Sequence, residues 1–250
     1  MRLSRILPPI LTALALLIVW QYVPPLLGVK DYLLPRPSLI YATIVKEAQY
    51  LMPAAGRTAL AAVLGLISAI AGGLIVASLF RMFVSVRRSL LPWVLILQMT
   101  PVIVLVPLIA IWLGSGLASI VAITFLISFF PIAASASAGM SQVDPNYADL
   151  FKVMKASRAQ TFWKLWLPGA LPDMITGVKI AATLATVGAV SGEYMVGTNP
   201  AESGLGYLLQ IYWSRTDTAG VFAVAVIACV VGYCFVALVN WLGTRLLKRS

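Results

Sequence analysis

Long apolar blocks alternate along this chain with short basic or polar interruptions. Blocks able to cross a hydrocarbon core of ~30 Å fall near residues 6–27, 58–80, 89–113, 116–140, 172–196 and 218–246. They are solid runs, without the apolar–polar alternation of a membrane β-strand. The pattern therefore predicts an all-α integral membrane protein with six transmembrane helices, forming one transmembrane domain over 1–250. After the first block, Pro35 and Pro37 precede Ser38, and Ile40, Ile44, Ala48 and Leu51 recur at helical spacing. That predicts a short helix, capped by Ser38, resting on the outer membrane interface. Gly114-Ser115-Gly116 predicts a tight turn between spans three and four. The last outer loop, NPAESGLGYLLQIYWSRTD, is rich in glycine and aromatics; it either closes over a pathway or anchors at the headgroups.

Charge sets the orientation. Only 10% of the residues are charged and 61% are hydrophobic, against about 25% charged in a soluble domain. The net charge of +10 does not indicate nucleic acid, because the cations gather at the ends of apolar blocks. With both termini cytoplasmic, the inner segments hold Arg2, Arg5, Arg81, Arg87, Arg88, Lys152, Lys155, Arg158, Lys164, Arg245, Lys248 and Arg249. The outer segments hold only Lys30, Arg36, Lys46, Arg57 and Arg215. This bias predicts that orientation. Arg2 and Arg5 resemble a signal-peptide start, but the apolar run continues to about Leu27 and is expected to be an uncleaved first span.

Catalytic chemistry is scarce. Histidine is absent, and Cys229 and Cys234 would lie roughly 8 Å apart on one helix, beyond disulfide reach. No metal site is expected. No pair of acidic residues shares a span and no G-x-S-x-G occurs, so an intramembrane enzyme is not expected. A G-x-x-x-x-G-K-S/T loop is also missing, so ATP hydrolysis by that route would need another chain.

One cytoplasmic stretch, KASRAQTFWKLWLPGALPDMITG (155–177), departs from the apolar pattern. Asp144 followed by Pro145 predicts an N-cap and first helical position, with a short helix to about Ala156. Ser157 to Gln160 matches a capping box that starts a second short helix, ended by Pro168 and Pro172. The residues alone leave two roles open: an amphipathic segment on anionic lipid, using Phe162, Trp163 and Trp166, or a protein-docking handle.

This stretch resembles the EAA loop of ABC importer permeases. Asp149-Leu150-Phe151 stands at the EAA triplet, Met154 at the following leucine, Lys155 at the usual glycine, and Ala156-Ser157 after it. Phe162, Leu165, Leu167-Pro168, Ala170-Leu171-Pro172 and Gly177 follow in register. LLPRPS at 33–38, residues 57–80 and 100–116, and SGEYMVGTNPAESGLGYLL at 191–209 resemble the nitrate/sulfonate/taurine branch of the binding-protein-dependent family. The resemblance implies a type I ABC importer permease fold in a bacterial inner membrane, with a coupling helix between spans four and five (144–168). It assigns contacts with the ATPase to Asp149, Met154, Lys155, Ala156, Ser157, Phe162, Leu167 and Pro168. It also implies a pair of ATP-binding cassette subunits carrying ATP and Mg, a second permease subunit, and an extracytoplasmic substrate-binding protein. This chain itself would bind no cofactor. Substrates of that branch include nitrate, sulfonates, taurine, thiamine precursors and riboflavin-like heterocycles. A secondary transporter is the alternative, although no internal repeat supports it.

For the pathway, Thr176, Lys179, Thr183, Thr186, Val190 and Glu193 recur at steps of three and four in span five, and Ala181, Ala185, Gly188 and Gly192 follow on the opposite face. Thr183, Thr186 and Glu193 are candidates for lining the route, with Gln98 and Thr100 in span three, where Pro101 and Pro107 either bend the helix to present them or are tolerated kinks without substrate contact. The other reading has Lys179 and Glu193 snorkelling to the two interfaces and the threonines bonding their own backbone. Gly65, Ala69 and Gly73 form a small-residue stripe expected to serve helix packing.

Overall fold

A computed structural model describes residues 3–197 and 204–247. Arg2, Lys248 and Arg249, and residues 198–203 of the glycine-rich outer loop, lie outside the described residues. The first helix, α1 (Leu3–Leu26), carries four prolines and sits at the periphery, with Leu11, Leu16 and Ile18 more than half exposed. Its contact with the bundle runs through Trp20, whose ring centroid lies 5.8 Å from that of Phe222.

The next helix, α2 (Pro37–Lys46), forms where it was expected but is capped differently. Proline at the first helical position makes Arg36 the N-cap. Ser38 instead exchanges hydrogen bonds with Gln21 of α1: its N–H donates to Oε1 (3.1 Å), and its Oγ accepts from Nε2 (3.0 Å). Nor does the helix lie loosely on an interface. Ile40 is buried together with Leu51, Leu205, Tyr212 and Val224.

Span two begins earlier than its apolar block. The helix α3 (Ala48–Met82) has 35 residues, about 52 Å at 1.5 Å per residue, so it projects beyond a ~30 Å core. The predicted third span is not one helix. It is divided into α4 (Val84–Met99) and α5 (Val102–Leu113), bent by 101°. Thr100 precedes proline and is extended (ψ 123°), and Pro101 has ψ 119° and cannot donate its nitrogen to the helix ladder. Among the described residues, α4 buries none of its side chains.

The core is a close triple contact of α3, α6 (Leu117–Ser141) and α10 (Leu171–Val196), with α12 (Thr218–Leu247) against it. Small residues allow this. Thr124 of α6 is buried between two glycines: a Cβ at Gly65 of α3 would lie 2.2 Å from its Cγ2, and one at Gly188 of α10 would lie 3.0 Å from its Cα. Ala69, Ala181 and Ala185 are fully buried beside them. The stripe Gly65/Ala69/Gly73 and the small face of span five both serve packing.

The segment between spans four and five folds as α7 (Pro145–Val153), α8 (Arg158–Thr161), a π turn over Phe162–Trp166, and the single turn α9 (Leu167–Gly169). Pro168 does not stop the second helix; it sits in the first turn of α9, where a missing N–H costs nothing. Pro172 likewise occupies the first turn of α10. The outer helix α11 (Leu205–Ser214) packs on α10, α12 and α3.

Candidate functional site

Two ends of the molecule carry unusual chemistry. At one end, the sequence signals for the corner are realised atom by atom. Asp144 Oδ1 accepts from Asn146 N (2.8 Å). Ser157 Oγ accepts from Gln160 N (3.2 Å), while Gln160 Oε1 accepts from Ser157 N (2.8 Å), completing the capping box. Helix α7 stops at Val153, three residues before its expected end, in a Schellman closure: Ala156 N donates to Phe151 O (3.0 Å) and Lys155 N to Lys152 O (2.9 Å).

That closure puts Lys155 at φ 53°, the left-handed region in which glycine is at ease. It is also the position at which Lys155 stands for the glycine of the EAA pattern. Lys155→Gly is expected to raise stability by roughly 0.5–1 kcal/mol, strain relief being partly offset by the freer unfolded chain. A thermal melt of the purified protein checks this; a lowered midpoint would mean that the lysine side chain holds the corner.

The eight proposed coupling residues divide by exposure. Asp149, Met154, Lys155, Ser157 and Pro168 are exposed, and Ala156 and Leu167 are half-buried. Phe162 is buried against Ala77, Ala136, Met140 and Ala170, so it anchors the corner to the bundle. Of the eight, Met154 is an exposed apolar side chain; Tyr147, Leu150, Val153 (80% exposed) and Trp163 add to the apolar surface beside it. Asp149 pairs with Lys152 (2.8 Å) on this surface. Helix α7 buries no residue at all.

At the opposite end, Glu193 of α10 is 1% exposed. Its Oε2 accepts from Thr58 Oγ1 of α3 (2.8 Å) and from Gly206 N of α11 (3.0 Å). Thr58 Oγ1 in turn accepts from Leu205 N (2.9 Å). Among the described residues, α11 has no side-chain cap of its own. The Glu193 carboxyl and the Thr58 hydroxyl supply acceptors from two other helices, setting oxygen atoms at the positive end of α11. A Cβ at Gly204 would lie 2.1 Å from Glu193 Oε1, and one at Gly206 would lie 2.1 Å from Val190 O. The close approach explains the G-L-G sequence.

The polar face expected along span five does not stay on one side. From Thr176 to Glu193 the spacing averages ~3.4 residues against 3.6 per turn, so the row drifts by about 100° around the helix. Thr176 and Thr183 are exposed, Thr186 is buried facing Gly232, and Glu193 is enclosed. Gln98 is exposed, and half-buried Thr100 donates to Ile96 O (2.9 Å) at the α4–α5 bend.

Beside the Glu193 cluster, α3 and α11 wall a cleft of about 940 Å³. Lys46, Glu47 and Arg57 line it from one side and Tyr212 and Arg215 from the other. The pattern of apolar blocks gave no sign of this gathering, because it depends on α3 extending outward to Ala48 and on α11 folding back. Burial raises the Tyr212 phenol above its usual range, so it stays protonated as part of this wall.

A bundle of apolar helices with a projecting capped corner at one end and a polar cleft at the other defines a multi-pass membrane transport subunit. The match to the family of binding-protein-dependent transport system inner membrane components, over residues 69–248, shows that the chain belongs to it. It is 33% identical to the formylaminopyrimidine transport permease protein ThiX of Halalkalibacterium halodurans, over 92% of this chain and 91% of that protein. It is 32% identical to the taurine transport system permease protein TauC of Escherichia coli, over 95% and 86%. The fold is also that of a chain in the inward-facing MetNI methionine ABC transporter, with a TM-score of 0.68 at 19% identity, over 82% of this chain and 97% of that one. The chain is thus a non-catalytic ABC transporter permease, and ATP hydrolysis belongs to a separate subunit.

Proposed function

We infer that this subunit is driven through its 144–168 corner, which docks into an ATP-binding cassette partner carrying ATP and Mg. The observation that carries this is α7: a nine-residue helix with no buried residue. Isolated helices this short are marginal in water, and its apolar tip at Leu150, Val153 and Met154 is uncovered by the described residues, at 51%, 80% and 69% exposed. Both ends are nonetheless closed by specific hydrogen bonds. A rigid apolar knob fits a cleft in another protein better than a lipid surface, because the helix's own cation, Lys152, is paired with Asp149 (2.8 Å) and Lys155 and Arg158 lie past its tip.

The rest of the machine follows from this placement. The corner and both termini face the cytoplasm, in agreement with the lysine and arginine bias. The cleft between α3 and α11 then faces outward, where a substrate-binding protein delivers a small solute, and a second copy of the chain completes the route. Relatives named for taurine and for formylaminopyrimidine support a small polar solute. Gln98, Thr100, Thr183 and Thr186 remain the residues proposed to line the route.

Cross-linking tests the docking. In a background with Cys229 and Cys234 changed to serine, Met154→Cys is expected to form a disulfide-length cross-link to the co-purifying ATPase. Trp112→Cys, equally exposed at the far end of α5, is expected to form none. Cross-linking at Trp112 but not at Met154 would overturn the reading.

A further inference from the structure

A small cavity lies where α3 and α6 end on the coupling segment. Its volume is about 80 Å³, and it is lined by Ala77, Phe80, Arg81, Val84, Arg87, Ser137 and Ser141. Ligand pockets for organic solutes run to ~300 Å³ or more, so it is too small for the transported solute and has room for a compact oxyanion.

Its chemistry is one-sided. Arg81 and Arg87 both face it, and no acidic residue lines it. Among the described residues, Arg81 makes no hydrogen bond or ion pair, and its Nε is buried without an acceptor. Its guanidinium is instead stacked on Trp166 of the π turn, 4.3 Å from the ring centroid. Buried N–H donors in proteins nearly always find an acceptor, and two guanidiniums around one cavity repel unless an anion sits between them. Ser137 has no side-chain partner among the described residues, whereas Ser141 Oγ donates to Ser137 O (2.8 Å).

We propose that this cavity binds a phosphate group, that of an anionic phospholipid of the cytoplasmic leaflet. Guanidinium groups are the side chains best matched to phosphate. Basic pockets between helix ends on the cytoplasmic side are where such headgroups are taken up. The rim supports a lipid over free phosphate: Val84 is 60% exposed and lines the mouth, and neighbouring Phe83 is 44% exposed, giving acyl chains an apolar surface. The bound phosphate also holds Arg81 against Trp166, and so steadies the segment carrying the coupling corner. The inference rests on the cytoplasmic placement of that segment but not on ATPase docking.

Native mass spectrometry of the permease purified with its ATPase tests it. Wild-type protein is expected to retain phosphatidylglycerol on each permease chain through detergent exchange, and to lose phosphatidylcholine. Arg81→Gln/Arg87→Gln is expected to lose at least tenfold in retention. Arg87→Gln alone, an exposed change that leaves the Arg81–Trp166 stack intact, should fall between the two, and Arg88→Gln outside the cavity should match wild type. Equal retention in the double variant, or of both lipids, would overturn the site. Displacement of the lipid by inorganic phosphate would overturn the lipid assignment. Because binding is read directly, failed docking of the ATPase would leave these outcomes unchanged.

Discussion

Glu193→Ala is expected to destabilise the protein by about 2–3 kcal/mol, as unfolding measured in detergent. The change removes the acceptor for Gly206 N–H and for the Thr58 hydroxyl at a site that is 1% exposed. A buried donor left without a partner costs about 1–3 kcal/mol. The hydroxyl has a fallback in Ala54 O at 3.2 Å, whereas the Gly206 amide has no second acceptor among the described residues, so most of the loss falls on α11. Thr58→Val, nearly the same shape, should cost a similar amount, since it removes both the donor to Glu193 and the acceptor for Leu205 N. The double variant should cost less than the sum of the two, because both act on one network. Glu193→Gln keeps an acceptor and should be milder. Full stability in Glu193→Ala would mean that α11 is held by packing alone.

Val153→Asp/Met154→Asp carries the largest expected functional effect. Both positions are exposed, at 80% and 69%, so no packing is lost, and two carboxylates at the C-terminal end of α7 should cost the folded subunit no more than about 1–2 kcal/mol. In a docked complex the same side chains are covered. Losing their burial costs about 1.5–3 kcal/mol each, and enclosing two unpaired carboxylates adds to that. With tenfold per 1.4 kcal/mol, ATP-driven uptake should fall by at least about tenfold while the permease remains folded. Phe162→Asp would not make this distinction. Phe162 lies in the core with Ala136 and Met140, and its loss would unfold the corner whatever the corner docks to.

What could be foreseen from the sequence divides by the range of the interaction. Asp144-Pro145 and Ser157 to Gln160 act within three residues of themselves, and both caps formed as expected. The core stripe of Gly65, Ala69 and Gly73 was visible because small residues repeat at helical spacing on a single helix. Glu193 stood out as an intramembrane acid, but its partners Thr58 and Gly206 come from two other helices. The Thr58 contact spans 135 positions, and no local pattern encodes it. Pro101 and Pro107 marked span three as able to bend, but apolar length kept it a single span; its full division by 101° at Thr100–Pro101 needed the backbone limits of a residue preceding proline. Arg81 was read as one more cytoplasmic cation, and its stacking on Trp166 required knowing that α3 ends beneath the π turn.

The central claim is that this permease moves solute only when a separate ATPase acts on its 144–168 corner. The most direct test is uptake into proteoliposomes holding the permease alone, the permease with its ATPase, and the Val153→Asp/Met154→Asp variant with that ATPase, each with binding protein, solute and Mg-ATP outside and inside as the orientation requires. Uptake only by the wild-type pair, with stimulation of ATP hydrolysis lost in the variant, is the predicted result. Uptake by the permease alone without nucleotide, or undiminished uptake by the variant pair, would contradict the account.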